Sequence, residues 1–244
     1  MLKKVLSNAE IECLGSEIIN HYFRGEQYNR EWVDIDSLVQ TYLGLQVVYV
    51  NIKEKNEDRV AFLADGKTTI RIMEYGKIRD VCYPENTIVL DRFYLNAREN
   101  DKRRFILAHE AGHYILNRAK GLRAKAAFRT TPFGYQDVKF DVIADTCNLD
   151  EVQANRIAAV LLMPEGLVNQ EMIQIFGRDT LPLYGGEHVA MDDQERLNQM
   201  CSHLQVSYSA LLNRLKELGR VEWRPYEELL ENLFSKEKVD YEPW

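Results

Sequence analysis

The segment RRFILAHEAGHYILNR, residues 103–118, holds two histidines four residues apart, His109 and His113, with Glu110 directly after the first. On a helix, positions i and i+4 share one face, so the two imidazoles can bind one metal ion together. Glu110 lies one position further around the helix and can reach a water on the open side of that metal, where a general base would act. This spacing favours a single zinc ion per chain and a hydrolytic centre with Glu110 as the general base. The alternative is a packed helix that happens to hold two histidines.

A catalytic zinc site needs a third protein ligand and keeps a fourth position for water. The other histidines of the chain are His21, His188 and His203, and none follows at the close HExxHxxGxxH spacing. A carboxylate on a second helix is the other solution, and Glu151 stands at the start of the helical pattern EVQANRIAAV. The alternative for such a residue is a surface glutamate that the helix dipole favours.

Small and polar residues follow Glu151 at i+3, i+4 and i+7, which would let a second helix pack closely. Asn155, one turn after Glu151, can hold the distal nitrogen of a ligating histidine. Gly112, next to His113, would equally allow a close approach by another helix or by substrate. These features favour Glu151 as the third ligand, supported by Asn155.

The elements that must position these residues begin with two helices. Ser7 and Glu10 form a capping-box pattern ahead of the apolar periodicity in SNAEIECLGSEIINHYF. A second short helix, DIDSLVQTYLG, ends at Gly44. Residues 45–94 are rich in Val, Ile, Tyr and Thr, and predict a small, mostly antiparallel sheet.

An Asp65-Gly66 pair within this region predicts a hairpin. From Asp101 onward the pattern is helical, with Pro164 ending or kinking the helix that holds Glu151. The order of two helices, a sheet and further helices predicts an α+β fold. We expect one part over residues 1–164 and a helical C-terminal part over residues 165–244.

The segment LQVSYSALLNRLKELGRV resembles the end of a helix-turn-helix, with a turn at residues 206–207. Such a pair of helices can dock a DNA-binding partner or pack on the core. Four leucines at helical spacing favour the core role: Leu211, Leu212, Leu215 and Leu218. The final residues, 235–244, read as a loose tail.

Composition restricts the class of protein. A net charge of −7 and a pI near 5.4 argue against direct nucleic-acid binding by the whole surface. The longest apolar run, residues 157–163, is far shorter than the roughly 20 residues that a membrane span requires. No apolar region follows Lys3 and Lys4, so we expect no signal peptide.

Four scattered cysteines without a CxxC pair predict reduced thiols and a cytoplasmic location. They are Cys13, Cys82, Cys147 and Cys201. Cys147 precedes Glu151 by four residues and can in principle reach the metal, although a small buried hydrophobic residue is the simpler interpretation.

The sequence RRFILAHEAGHYILNR followed by EVQANRIAAVLLMP resembles the ImmA/IrrE family of zinc metallopeptidases. That family combines an HExxH helix with a helix of the form E-x-(E/Q)-A-N-x-x-A-x-x-L-(L/M)-M-P, and the resemblance extends over roughly residues 34–164. It implies a gluzincin-like core in which two histidines and a downstream glutamate bind zinc. Carried over by position, the zinc ligands are His109, His113 and Glu151, and the general base is Glu110.

The resemblance also implies a cytoplasmic, site-specific endopeptidase whose protein substrate is a helix-turn-helix transcriptional repressor. Asn117 stands where the family often has histidine, and the interval between His113 and Glu151 is long, which predicts an insertion. The insertion carries a basic run that can serve as a substrate-binding flap or as a solvated loop. Its members are Arg118, Lys120, Arg123, Lys125 and Arg129.

Peptide hydrolysis also needs a donor for the oxyanion. Candidates by residue type are Tyr135, Arg156, Tyr184 and His188, and the sequence assigns the role to none of them. Two functions remain open at this stage. One is a zinc endopeptidase; the other is a non-catalytic regulatory protein in which zinc joins two helices and the chain binds a repressor or toxin.

Overall fold

The computed structural model describes residues 5–24, 32–53, 60–122, 127–129 and 146–237. The helices in this part of the chain are α1 (Asn8–Tyr22), α2 (Ile35–Ser37), α3 (Asn100–Ala119), α4 (Thr146–Leu162), α5 (Glu165–Glu171), α6 (Met191–Leu204), α7 (Tyr208–Glu217) and α8 (Tyr226–Glu237). The strands are β1 (Gln46–Ile52), β2 (Ala61–Leu63), β3 (Thr69–Glu74), β4 (Lys77–Cys82), β5 (Thr87–Asp91), β6 (Ala127–Arg129), β7 (Leu181–Tyr184) and β8 (Val221–Arg224). No helix within these ranges has the length and apolar character of a membrane span.

Several helix ends follow the sequence prediction. Ser7 and Glu10 form the predicted capping box at the start of α1, and Asp34 caps α2 through its side chain. π-Helical turns extend α2 over Leu38–Tyr42 and α5 over Met172–Phe176. α3 begins at Asn100, one residue before the predicted start, and its N-cap residue, Glu99, makes no side-chain cap hydrogen bond. The C-terminal strands β7 and β8 and the helix α8, which includes the first residues of the predicted tail, were not predicted.

The main sheet has six strands in the order β4-β3-β1-β5-β2-β6. Four of its five strand pairs are antiparallel, and only the central pair, β1 with β5, is parallel. The predicted α+β class with a mostly antiparallel sheet is therefore confirmed. Alternate residues of β2 and β5 face the helices, so Leu63 and Ile88 join the main core, whereas Phe62 and Val89 join a smaller cluster on the other face.

The predicted hairpin at Asp65-Gly66 is wrong, because the strands on either side, β2 and β3, do not pair with each other. The Asp65 carboxylate accepts hydrogen bonds from the backbone N–H groups of Lys67 and Thr68, at 2.9 Å and 2.7 Å. This side-chain turn redirects the chain without closing a ladder. The observed hairpin joins β3 to β4 through Tyr75 and Gly76, both with positive φ.

One hydrophobic core contains residues from α1, the sheet, α3, α4 and the C-terminal helices. Leu211 and Leu215 are fully buried in it, and Leu212 and Leu218 pack against it, which confirms the predicted core role of α7. The boundary at residue 164 stays a prediction, although Pro164 does separate α4 from α5.

Arg104, near the start of α3, helps to hold this helix in place. Its side chain is 1% exposed, and it donates to the carbonyl oxygens of Gln205 and Val33 at 3.1 Å and 3.0 Å. Burial lowers the pKa of Arg104 to about 10, so it keeps its charge at neutral pH. The helix with the two histidines is thus tied to segments distant in sequence.

Gly112 sets the distance between α3 and α4. A Cβ at this position would lie 2.9 Å from the carbonyl oxygen and 3.2 Å from the Cα of Ala154. We expect Gly112→Ala to lower the free energy of unfolding by roughly 1–3 kcal/mol, because the backbone of α4 must move away. Urea unfolding of the metal-free protein measures this change.

Gly166→Ala in α5 is the matched control, since no described atom beyond the adjacent residues and the backbone of the same helix lies within 4 Å of the point that a Cβ would occupy there. Alanine in a helix is favoured over glycine by roughly 0.5–1 kcal/mol. If Gly112→Ala, like Gly166→Ala, were as stable as wild type or more stable, this would contradict the close packing of α3 on α4.

Candidate metal centre

The two histidines lie in the middle of α3 with their rings side by side. His109 is 1% exposed and His113 is 6% exposed. Their Nε2 atoms are 3.0 Å apart, and the rings meet edge to face with centroids separated by 4.7 Å. The predicted common face of the two side chains is therefore present, and both imidazoles direct the same nitrogen to one point.

Glu151 brings its carboxylate to the same point from α4. Oε2 lies 3.2 Å from Nε2 of His109, and Oε1 lies 3.2 Å from Nε2 of His113. The donor atoms of the three residues all lie within 4.8 Å of one another. The sequence therefore named all three members of this cluster, although they come from two helices.

The spacing of the donor atoms fits a metal ion. Tetrahedral coordination with metal–ligand distances of about 2.0–2.1 Å places donor atoms about 3.3 Å apart. The Nε2–Nε2 separation of 3.0 Å, and the 3.2 Å from each Nε2 to its own carboxylate oxygen, are close to that value. Among the described residues the cluster offers three ligands, one fewer than tetrahedral coordination uses.

Asn155 sets the orientation of the His109 ring. Its Oδ1 lies 2.8 Å from Nδ1 of His109. The amide oxygen accepts a hydrogen bond, so Nδ1 carries a proton, and in the neutral imidazole Nε2 then has the lone pair that a metal needs. The structure thus places Asn155 where the sequence predicted it, on α4 one turn after Glu151.

Opposite charges dominate the electrostatics of the cluster. Burial alone would raise the pKa of Glu151, but hydrogen bonds with His109 and His113 hold it well below its usual range. Burial alone would lower the pKa of His113, but the hydrogen bond with Glu151 and the negative charge of Glu110 raise it. The surroundings therefore favour a positive charge between the imidazoles and the carboxylate, whether carried by protons or by a metal.

Glu110 is 0% exposed and follows His109 in the middle of α3. Its charge acts on His113, as the raised pKa of that histidine indicates. A buried carboxylate needs a compensating positive charge or polar partners. The cluster that contains the neighbouring residue His109 favours a positive charge and so supplies such surroundings.

The other candidates from the sequence have contacts elsewhere. The backbones of Tyr184 and His188 bond to each other, and the His188 ring packs against Tyr226. Arg156 forms an ion pair with Glu217, with 3.5 Å between Nε and Oε1. These contacts do not involve the His109, His113 and Glu151 cluster, and the oxyanion role stays unassigned.

Some predictions fall on positions beyond the described part of the chain. They concern Tyr135, Arg123, Lys125 and most of the predicted insertion, together with the side chains of Arg129 and Cys147. Cys13, Cys82 and Cys201 are free thiols, in agreement with the predicted reduced state.

One residue of the predicted basic run has surroundings that the sequence did not indicate. The side chain of Lys120 is 3% exposed and donates to Asp150 and Gln153, which lie on either side of Glu151 in α4. Gln153 was not predicted from the sequence either, and its only signal was its place in the E-x-(E/Q)-A-N pattern.

Comparison with known families gives a match over most of the chain. A family model described as Peptidase_M78, IrrE N-terminal-like domain, matches residues 40–216, which is more than half of the 244-residue chain. No curated protein gives a significant match. The matched region includes the whole of α3 and α4, the two helices that carry the cluster, and the chain therefore belongs to the Peptidase_M78 family of metallopeptidases.

Proposed function

We propose that the protein is a zinc-dependent endopeptidase that hydrolyses a peptide bond in a protein substrate. The observation that carries this proposal is the convergence of His109, His113 and Glu151: the two Nε2 atoms are 3.0 Å apart, and each lies 3.2 Å from a different oxygen of the Glu151 carboxylate. Membership in a metallopeptidase family supports peptidase activity in general. The substrate, the metal and the roles of the individual residues are our proposals.

The donor set favours zinc with one position open. Two imidazole nitrogens and one carboxylate oxygen are common ligands of catalytic zinc, whereas structural zinc sites use four protein ligands, often cysteine. The cluster of possible ligands in the described ranges contains three residues and no cysteine. Such a set suits catalysis better than a purely structural role.

We assign the following roles to the residues of the site. His109, His113 and Glu151 hold the ion, and Asn155 keeps the His109 ring in the required tautomer. A zinc ion in this position supplies Lewis-acid polarisation of a carbonyl and lowers the pKa of water. The carboxylate of Glu110 takes a proton from the attacking water and passes it to the amine that leaves.

Asn155 offers a test of the ligand assignment. We expect Asn155→Leu to weaken zinc binding by about 10–100-fold, because His109 loses the acceptor that fixes its ring. Asn155→Asp keeps an oxygen acceptor and is expected to stay close to wild type. Competition with a chromophoric chelator measures both zinc dissociation constants. If the leucine variant bound zinc as tightly as wild type, Asn155 would have no role in supporting the site.

For the substrate we propose a cytoplasmic helix-turn-helix repressor. This part rests on the resemblance of the two helix motifs to the ImmA/IrrE family. The net charge of −7 favours a protein substrate over direct binding to nucleic acid.

Cleavage of a natural protein mixture tests the proposed activity. The zinc-loaded protein is incubated with a native bacterial lysate, and new peptide N-termini are identified by mass spectrometry. We expect a small set of specific cleavages that a chelator abolishes and added zinc restores. Cleavage that persists in the metal-free protein would contradict the proposal. It would also be contradicted if zinc-loaded and metal-free samples gave the same termini in the lysate and a purified helix-turn-helix repressor stayed intact.

A further inference from the structure

Lys120 lies at the end of α3 and reaches across to α4. Its ammonium group donates to Oδ1 of Asp150 at 3.0 Å and to Oε1 of Gln153 at 2.7 Å. The side chain is 3% exposed, and a buried charge persists only when it is paired and hydrogen-bonded. The two acceptors therefore fix the position of the Lys120 ammonium group, and that group in turn fixes the positions of the Asp150 and Gln153 side chains.

Gln153 extends this connection beyond the two helices. It is 2% exposed, and its Nε2 donates to the carbonyl oxygen of Leu6 at 2.6 Å. The lysine, the glutamine and this carbonyl thus join the end of α3, the first half of α4 and the residues ahead of α1. This connection is anchored in the protein interior and is not a surface ion pair.

The connection flanks the proposed third ligand. Asp150 precedes Glu151 and Gln153 follows it by two residues. The Glu151 side chain is 39% exposed, against 1% and 7% for the two histidine side chains, so it is the least enclosed of the three groups. Its approach to the histidines depends on where the first half of α4 is held.

We propose that Lys120 is a positioning residue for the metal site. Its bonds to Asp150 and Gln153 hold the start of α4 against the end of α3, so that both oxygens of Glu151 reach the histidine nitrogens. This inference rests on the proposed metal-binding function, and it adds a residue that supplies no ligand atom. Asn155 holds the same helix one turn further on.

The sign of the expected effect separates positioning from simple electrostatics. Removing a positive charge near a cation site strengthens binding of the cation if charge alone matters. Loss of positioning weakens it. Weaker zinc binding in a neutral Lys120 variant is therefore not explained by the lost charge.

Lys120→Met is the main variant, and Lys102→Met is its matched control. Lys102 lies seven residues before His109 and Lys120 seven residues after His113, each about 10 Å along α3. Lys102 forms an ion pair with Glu99 within its own segment, at 2.7 Å. If the methionine variant does not fold, Lys120→Gln replaces it. The glutamine side chain is neutral and one bond shorter than that of lysine.

Two measurements are made on each variant: the zinc dissociation constant by chelator competition, and hydrogen exchange of a peptide covering residues 149–155 in the metal-free protein. We expect zinc to bind about 10-fold more weakly to the Lys120 variants, with faster exchange at the start of α4. Lys102→Met is expected to match wild type in both. Equal or tighter zinc binding in the Lys120 variants would overturn the proposal.

The exchange measurement separates the two levels of inference. If wild type binds no zinc, the proposed function fails. Faster exchange in the Lys120 variants would then still support the positioning of α4, and unchanged exchange would overturn it.

Discussion

Glu110→Gln is expected to reduce peptide cleavage by about 10²–10⁴-fold while the fold and the bound metal are retained. Glutamine has nearly the shape of glutamate, so it fits the fully buried position. It cannot accept a proton from water as a carboxylate does, and the step that depends on this transfer slows. The rate of appearance of a new N-terminus, at the cleavage site found with wild type, measures the effect.

The control for this variant is Glu165→Gln, at an exposed position in the first turn of α5. Its cleavage rate is expected to equal that of wild type. Elemental analysis of both variants should give the same zinc content as wild type. Cleavage at the wild-type rate by Glu110→Gln would exclude Glu110 as the base.

The same variant distinguishes the two functional hypotheses. If zinc only joins α3 and α4 and the chain acts by binding a repressor or toxin, Glu110→Gln retains full function in the cell. If hydrolysis is the function, Glu110→Gln binds the substrate and leaves it intact. A stable complex between this variant and an uncleaved protein would also identify the substrate by mass spectrometry.

Glu151→Ala is expected to lower the affinity for zinc by at least about 100-fold, more than the loss of a residue that only supports a ligand. The variant removes both oxygens that lie 3.2 Å from the histidine nitrogens. It also leaves the two imidazoles without the carboxylate that favours a cation between them. Zinc per chain after dialysis, together with the dissociation constant from chelator competition, measures the loss.

Glu195→Ala serves as the control because Glu195 is an exposed residue of α6. It removes the same charge from the protein and should leave zinc binding unchanged. Full zinc content in Glu151→Ala would leave the metal in place but show that Glu151 is not its third ligand. If wild type contained no zinc even after reconstitution, His109 and His113 would simply be two histidines on a packed helix and not metal ligands.

Features that depend on neighbours in sequence were predictable. The capping box at Ser7 and Glu10, the helix over the HExxH segment and the common face of His109 and His113 all follow from contacts three or four residues apart. A helix has one geometry, so spacing along the chain converts directly into spacing in three dimensions. The candidate pair of metal ligands could therefore be identified without the fold.

Glu151 was predictable for a different reason. It lies 38 residues after His113, counted from the two positions, so no local rule connects them. The small residues on its helix and the resemblance to a family pattern pointed to it. Only the structure shows the distance at which its oxygens meet the histidines, because the packing of Gly112 against Ala154 sets it.

The remaining features were decided by tertiary structure alone. Asp65-Gly66 has the composition of a hairpin, but β2 found its partners in β5 and β6 because the buried face of each strand selects its neighbours. Lys120 belonged to a basic run in the sequence, and burial between two helices gave it specific partners on either side of Glu151. By itself the sequence determined the residue types and the local spacing of the site. Which distant segments meet there depended on how the helices and strands bury their apolar faces together, since that is a property of the whole chain.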